Sequence, residues 1–193
     1  VTTVTATDQD GETVAYSITG GADASLFTID SSTGALSFKS APDFENPQDV
    51  GLDNTYEVAV QATGGTLSDS QTITVAVNDI NDDPVIAGGA NASYQLDENV
   101  ASVATISASD QDTGDTITFS INGGADAALF QIDHSTGELS FISAPNFENP
   151  QDSGADNTYD VVVEVTDGHV TADQSLAVTI NDVSRTLIRV SDD

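Results

Sequence analysis

The stretch VNDINDDPV, at Val77–Val85, concentrates oxygen-bearing side chains in the middle of the chain. Asp79, Asp82 and Asp83 lie close together with Asn81 among them, and carboxylates at such short range repel one another. Ca²⁺ takes about six to eight oxygen ligands from carboxylates, backbone carbonyls and Asn side chains. The stretch is therefore either a polar, solvated linker or part of a calcium site, and we favour calcium because partner acids recur at matching places elsewhere.

Those partner acids lie at the ends of predicted strands. Glu45 belongs to DFENP, Asp110 and Asp112 form a DQD pair, and Asp167 precedes a glycine. Carboxylates placed in this way suit cation binding better than acid–base catalysis of glycosides, since each pair is duplicated and open to water. The predicted metal ligands are Glu45, Asp79, Asn81, Asp82, Asp83, Asp110, Asp112 and Asp167.

The charge balance restricts the partners. The 193 residues include 32 acidic and 3 basic ones, for a formal net charge of -29. Phosphate contacts need Lys and Arg, so nucleic acid is excluded and an anionic membrane surface is disfavoured. Self-repulsion on this scale would be relieved by bound divalent cations. There is no Cys to form disulfides and no apolar run long enough to span a membrane.

The chain contains two copies of one module. Ser17–Phe38 reappears as Ser120–Phe141, an offset of 103 residues, and SAPDFENPQD reappears as SAPNFENPQD. A period of about one hundred residues is the size of a whole sandwich domain. Short runs alternate from residue to residue, for example Val103–Ser109, Thr158–Thr166 and Gln174–Asn181, and each run predicts one half-buried strand.

The sequence thus predicts an all-β protein of two tandem Greek-key, immunoglobulin-like β-sandwich domains. We place the domains at residues 1–82 and 83–185, followed by a tail at 186–193. The first copy has no counterpart of the Ala92–Leu96 strand, and it opens on a strand-like run without a leader. The sheet of the first copy would then have an unpaired edge, which the tail or another chain could cover. Of the two possibilities for the tail, covering this edge or being disordered, we favour disorder.

The linker Asp79–Pro84 also carries a family resemblance. It has the form DxNDN followed by Pro, with Asp83 in place of the last Asn. Other acidic residues of the chain follow the order of the same family's motifs. They are Glu45 and Glu148, the pairs Asp8/Asp10 and Asp110/Asp112, the late Asp167, and Glu98 before Asn99. The sequence resembles tandem cadherin repeats, specifically the cadherin-like repeats of bacterial surface proteins and adhesins.

The resemblance implies a calcium-stiffened joint in an extracellular, secreted or cell-surface protein. It implies that Glu45, the linker, Asp110, Asp112 and Asp167 share the calcium. Gly64 stands where the second copy has Asp167, which impairs any site before the first copy. Arg185 disfavours a full site beyond the second copy, so whether Glu98 and Glu148 bind calcium stays open.

Two functions follow from the resemblance, and neither is an enzyme. The first is a calcium-rigidified module of an adhesion protein, acting in cell adhesion or as an extender. The alternative is a calcium-dependent module that binds carbohydrate or other copies of itself; only Tyr16 and Tyr94 remain as aromatic platforms for polysaccharide. The number of calcium ions, the adhesive ligand and the oligomeric state stay open.

Two local features have plainer interpretations. The first feature is a pair of Asp residues in each copy, Asp49 with Asp53 and Asp152 with Asp156. Each pair belongs either to an ordinary loop, which we favour, or to a second calcium site. His134 and His169 correspond to Ser31 and Thr66 in the first copy, so we interpret them as surface turn residues. A zinc site therefore lacks its usual His and Cys ligands.

Overall fold

The computed structural model of the chain describes residues 1–183, and the predicted tail at 186–193 lies outside them. The chain divides into two compact units, Val1–Ile80 (unit 1) and Asn81–Asp193 (unit 2). Both are built from β-strands, with one short 3-10 turn each. This confirms the predicted all-β fold of two tandem sandwiches. No helix among the described residues has the length and apolar character needed to cross a membrane.

Unit 1 contains six strands in two sheets. The strands are β1 (Thr2–Thr3), β2 (Val14–Gly20), β3 (Phe27–Ile29), β4 (Ala35–Phe38), β5 (Thr55–Gly64) and β6 (Leu67–Ala76). One sheet has the order β1-β4-β3 and the other β2-β5-β6, and every pairing is antiparallel. Alternate residues of β5 (Tyr56, Val58 and Val60) are fully buried, as the period-two pattern predicts.

Unit 2 repeats this plan and adds strands. The strands are β7 (Val85–Ile86), β8 (Asn91–Asp97), β9 (Ser102–Thr105), β10 (Ala108–Ser109), β11 (Thr118–Gly123), β12 (Phe130–Ile132), β13 (Glu138–Phe141), β14 (Thr158–Thr166) and β15 (Thr171–Asn181). The sheets have the orders β11-β14-β15-β8, β12-β13-β9 and β10-β7. β8 pairs with β15 in parallel, whereas the other strand pairs within residues 1–183 are antiparallel.

The predicted single strand at Val103–Ser109 is two strands in the structure. β9 pairs with β13, whereas β10 pairs with β7. Between them, the buried Ile106 donates its backbone N–H to the carbonyl of Gly137 at 2.9 Å. The chain therefore changes hydrogen-bonding partners at Ile106, which an uninterrupted alternation of side chains cannot reveal.

The repeated GGAD motif has a packing role beyond its turn. Gly124 has a φ of +104°, and a Cβ there would lie 2.4 Å from both the Asp160 carbonyl oxygen and the Val161 Cα. Only glycine lets the backbone approach β14 so closely. Asp126, buried two residues later, accepts the backbone N–H groups of Ser153 (2.6 Å) and Asp160 (2.8 Å). The motif thereby fastens the long loop before β14 to the sheet.

The two units differ at one sheet edge. In unit 2, β8 covers the outer edge of β15 and brings Ala92, Tyr94 and Leu96 against the core. Within residues 1–183, no strand pairs with the outer edge of β6. The described residues accordingly form a cluster of thirteen buried apolar side chains in unit 2 and one of five in unit 1.

Candidate metal centre

The acidic residues of unit 2 come together where the linker meets two turns. The first is the DQD turn after β10. Asp112 donates its backbone N–H to Asp110 Oδ1 at 2.8 Å, and Asp115 donates to the Asp112 carbonyl at 3.2 Å. Local turn chemistry of this kind is what Asp residues favour. These bonds tie the Asp110 carboxylate and the Asp112 backbone into one tight turn.

The linker docks on this turn through its backbone and an amide side chain. The Asp82 N–H donates to Asp112 Oδ2 at 2.7 Å, and Asn81 Nδ2 donates to Asp167 Oδ2 at 2.9 Å. Asp83 is exposed and lines a groove together with Asn81, Asp82 and Asp110. Five of the predicted ligands are thus joined by direct contacts within unit 2: Asn81, Asp82, Asp110, Asp112 and Asp167.

Asp167 begins the second turn, directly after β14. It is 4% exposed, and its Oδ1 accepts the backbone N–H groups of His169 (2.6 Å) and Val170 (2.7 Å). These donors favour the ionised form: the Val170 N–H, followed by the Asn81 amide, lowers the pKa of Asp167 from 3.8 to about 2. The carboxylate is therefore negative throughout the neutral range.

Two carboxylate oxygens at this centre are left without partners. Asp110 Oδ2 and Asp112 Oδ1 are buried, and no group among the described residues hydrogen-bonds to them. A buried, unsatisfied carboxylate oxygen is costly unless it is paired with a donor or a cation. The oxygens of Asp110, Asp112 and Asp115 lie within 4.8 Å of one another. This all-oxygen, anionic set fits calcium, whose ligands are carboxylate, carbonyl and amide oxygens.

Asp115 was missed by the sequence prediction. It belongs to the segment TGD at Thr113–Asp115, which replaces Gly11–Glu12 of the first copy. The one-residue change in the repeat offset at this point is the signal that would have drawn attention to it. Half-buried beside Asp112, it adds a carboxylate that the aligned motifs do not include.

Two predicted ligands belong to unit 1. Glu45 is half-buried and donates its backbone N–H to Asp43 Oδ1 at 3.1 Å, in the loop between β4 and β5. Asp79 is exposed after the end of β6. Their participation in a metal centre stays a prediction from the sequence.

A second acidic group lies elsewhere in unit 2. Oxygens of Glu98, Glu148 and Asp182 fall within 4.8 Å of one another, and Glu98 is 5% exposed. Glu98 Oε2 accepts the Phe147 N–H at 3.3 Å. These are the residues that the sequence analysis left open, and the structure brings both glutamates together with Asp182.

The paired Asp residues of the long loops do not form such a centre. Asp49 accepts the N–H groups of Asp53 (3.1 Å) and Asn54 (3.0 Å), one on each carboxylate oxygen. Burial alone would raise the pKa of Asp49, but these backbone donors outweigh it and lower the pKa. Asp152 makes the equivalent bonds in unit 2. These carboxylates fit the interpretation as ordinary loops, because their oxygens already accept hydrogen bonds from backbone N–H groups of the loops.

The two tyrosines considered as carbohydrate platforms are engaged in packing. Tyr16 is 9% exposed and its hydroxyl accepts the Ala6 N–H at 3.0 Å. Tyr94 is half-buried against the core of unit 2. A stacking platform needs an open ring face, so the polysaccharide hypothesis gains no support.

Comparisons with known proteins identify the kind of repeat. Residues 1–78 match the Cadherin domain family. Human protocadherin Fat 4 is 33% identical over 95% of this chain, and mouse cadherin-related family member 2 is 31% identical over 70%. The chain is made of cadherin-like repeats. It spans only 4% and 11%, respectively, of the length of these two relatives.

Solved structures give the same fold. Form II of human protocadherin-24 EC1-2 matches with a TM-score of 0.61 and 22% identity, covering 95% of this chain and 88% of that one. Mouse cadherin-23 EC22-24 matches with a TM-score of 0.56 and 25% identity, covering 89% and 53%. The predicted non-enzymatic character is confirmed, because the relatives of these cadherin-like repeats are protocadherins and cadherin-related proteins rather than enzymes. The predicted extracellular location agrees with them.

One part of the predicted resemblance is not supported. The relatives named here are human and mouse proteins, so the comparisons point to animal cadherins and give no support to bacterial adhesins. The residue motifs could not distinguish the two, because calcium coordination imposes the same oxygen ligands on either.

Proposed function

We propose that the chain is a calcium-binding, calcium-rigidified cadherin-like module of an extracellular adhesion protein, acting in cell adhesion or as an extender. The observation that carries the proposal is the pair of buried, unpartnered oxygens on Asp110 and Asp112 beside the linker residues Asn81 and Asp82. Calcium bound there would give these two carboxylate oxygens a positively charged partner.

The protein's own residues would do the positioning. The DQD turn fixes Asp110 and Asp112, and the turn after β14 fixes Asp167 in its ionised form. Asn81 and Asp82 tie the linker to both turns through hydrogen bonds. Asp79 and Glu45 of unit 1 are the remaining predicted ligands. If they bind the same cations, cation binding would restrict the motion of one domain against the next.

The affinity should suit an extracellular setting. Extracellular calcium modules bind with dissociation constants of about 10⁻⁴–10⁻³ M. Cytosolic calcium would leave such a site empty, whereas millimolar calcium outside the cell would fill it. Other copies of the module stay a candidate partner, through the adhesive role of the family.

Small-angle scattering with calcium and then with chelator tests the proposal. We expect a longer and narrower distribution of particle dimensions with calcium, because a saturated linker bends less. Asp112→Asn should abolish most of the change, whereas Asp10→Asn, its counterpart in the first copy, should preserve it. Identical dimensions with and without calcium, together with no heat on titration, would refute the proposal.

A further inference from the structure

A histidine joins the acidic turns of unit 2. His169 lies in the turn after β14, and its Nδ1 is 3.6 Å from Asp115 Oδ2. The imidazole side chain is 66% exposed and the Asp115 side chain 21% exposed, so solvent and ions reach the pair. Ligand atoms of Asp115, Asp167 and His169 all lie within 4.8 Å of one another.

The spacing suits a small tetrahedral cation. Zinc binds His nitrogen and carboxylate oxygen at about 2.0–2.2 Å, which places two ligands of a tetrahedron about 3.3–3.6 Å apart. The separation of 3.6 Å between His169 Nδ1 and Asp115 Oδ2 already matches this value. Three protein ligands would leave a fourth position for water.

The nitrogen ligand decides the class of metal. Calcium is a hard cation that takes oxygen ligands, whereas imidazole suits zinc, copper and nickel. The sequence predicted no zinc site, because His169 was interpreted as a surface turn residue; the structure instead places its ring beside two carboxylates. The imidazole makes the trio different in kind from the all-oxygen set of Asp110, Asp112 and Asp115.

The turn fixes the Asp167 carboxylate and the backbone of His169 before any ion binds. Asp167 Oδ1 accepts the N–H groups of His169 and Val170, and Gly168 between them has a φ of +101°. The first copy keeps a carboxylate, Glu12, at the place of Asp115, but Gly64 and Thr66 stand where unit 2 has Asp167 and His169. The trio is therefore a feature of unit 2 and not of the repeated module.

We propose that Asp115, Asp167 and His169 form a surface site for a zinc-class transition-metal cation. The site goes beyond calcium binding at the linker, although Asp115 and Asp167 belong to both sets of ligands. Occupation of one site should therefore weaken the other. Where both cations are present, their relative concentrations would then decide which of the two sites is filled.

Titration of chelator-stripped protein with zinc chloride, in calcium-free buffer at neutral pH, tests the proposal by calorimetry. We expect saturable binding of one equivalent and, at that equivalent, a shift of the His169 ring-nitrogen resonances. His169→Ala should weaken binding by about tenfold or more, since even loss of an outer-shell partner costs that much. Asp115→Asn should weaken it in the same direction.

His134→Ala is the matched control, because His134 Nδ1 lies 3.2 Å from the Phe119 carbonyl, in a different turn. Zinc binding unchanged by His169→Ala, or lost equally in His134→Ala, would overturn the proposal. The same variants separate it from the calcium proposal: His169→Ala should keep the calcium-induced change in scattering. Failure of zinc binding with that change intact would remove this inference alone.

Discussion

Asp110 and Asp112 show why a single carboxylate can be both a turn residue and a ligand. Each has one oxygen that accepts a backbone N–H, from the turn for Asp110 and from the linker for Asp112, and one oxygen buried without a partner among the described residues. The first oxygen fixes the geometry and the second is available to a cation. A substitution that keeps the shape but removes the charge should therefore affect binding more than folding.

Asp112→Asn tests this at the residue scale. An amide can still accept the Asp82 N–H, but it brings no charge to the cation. We expect calcium affinity, measured by calorimetry, to fall by about tenfold or more. Asp10→Asn removes the same charge from the exposed equivalent in unit 1 and should change the affinity little. Equal losses in both variants would mean that net charge, and not the centre, governs calcium binding.

Asp133 offers a prediction on pH that is separate from the metal centre. Its Oδ1 accepts the Ser135 hydroxyl (2.8 Å) and the N–H groups of Ser135 (2.9 Å) and Thr136 (2.8 Å). The Ser135 hydroxyl, followed by the Thr136 N–H, lowers the pKa of Asp133 from 3.8 to about 2. Because the folded pKa is depressed, the stabilisation is complete above about pH 4 and disappears as the pH falls towards 2.

Asp133→Asn should therefore be less stable than the native chain at neutral pH, and the difference should shrink between pH 4 and pH 2. Urea unfolding followed through resonances of unit 2 measures it. Asp160→Asn, an exposed acid on β14, removes the same charge away from the turn and serves as the control. A difference that stays constant across this pH range would contradict the argument.

At the scale of elements, β6 and β15 are the same strand in two environments. Ile73 of β6 corresponds to Leu176 of β15 through the repeat offset of 103 residues. Leu176 pairs with Ala92 of β8 and is 2% exposed, whereas Ile73 is only half-buried at an edge without a partner strand in residues 1–183. The comparison isolates what a covering strand contributes.

Leu176→Ala should destabilise unit 2 by about 2–5 kcal/mol, the range for removing a fully buried aliphatic side chain. Ile73→Ala should destabilise unit 1 by only about 1 kcal/mol. Folding removes less apolar surface from solvent at Ile73 than at Leu176, and the open edge can relax around the smaller side chain. Chemical denaturation with resonances assigned to each unit measures both. A larger loss for Ile73→Ala would show that the β6 face is covered in solution.

The sequence predicts the elements better than it predicts their contacts. Alternation in Thr158–Thr166 predicts β14 with the bounds that the structure has, and the internal repeat predicts two sandwiches. The exchange of partners at Ile106 was not predictable, because strand pairing is a property of distant segments. The same holds for Asp126, which fastens residues far along the chain. Among site residues, spacing found Asp110 and Asp112, but only the folded turns bring Asp115 beside them.

At the scale of the whole molecule, charge is the dominant constraint. A chain with a formal charge of -29 repels itself, and simple salt relieves this repulsion by screening. The Debye length falls from about 30 Å at 0.01 M to about 8 Å at 0.15 M, so sodium chloride acts on every exposed acid at once. A bound cation acts differently, since it neutralises one group of carboxylates by direct contact.

Melting temperatures in sodium chloride, magnesium chloride and calcium chloride at matched ionic strength separate the two effects. Sodium chloride should raise the melting temperature gradually, and to the same extent in the native chain and in Asp112→Asn. Calcium at about 100 times its dissociation constant should add about 2.7 kcal/mol per site to the free energy of unfolding, and so raise the melting temperature further. Magnesium should give much less of this increment, because it sheds its water reluctantly and demands octahedral geometry. In Asp112→Asn the calcium increment should collapse towards the sodium baseline. If calcium stabilised the native chain no more than sodium does at equal ionic strength, screening alone would account for the acidic surface, and the carboxylates at the linker would have no metal to hold.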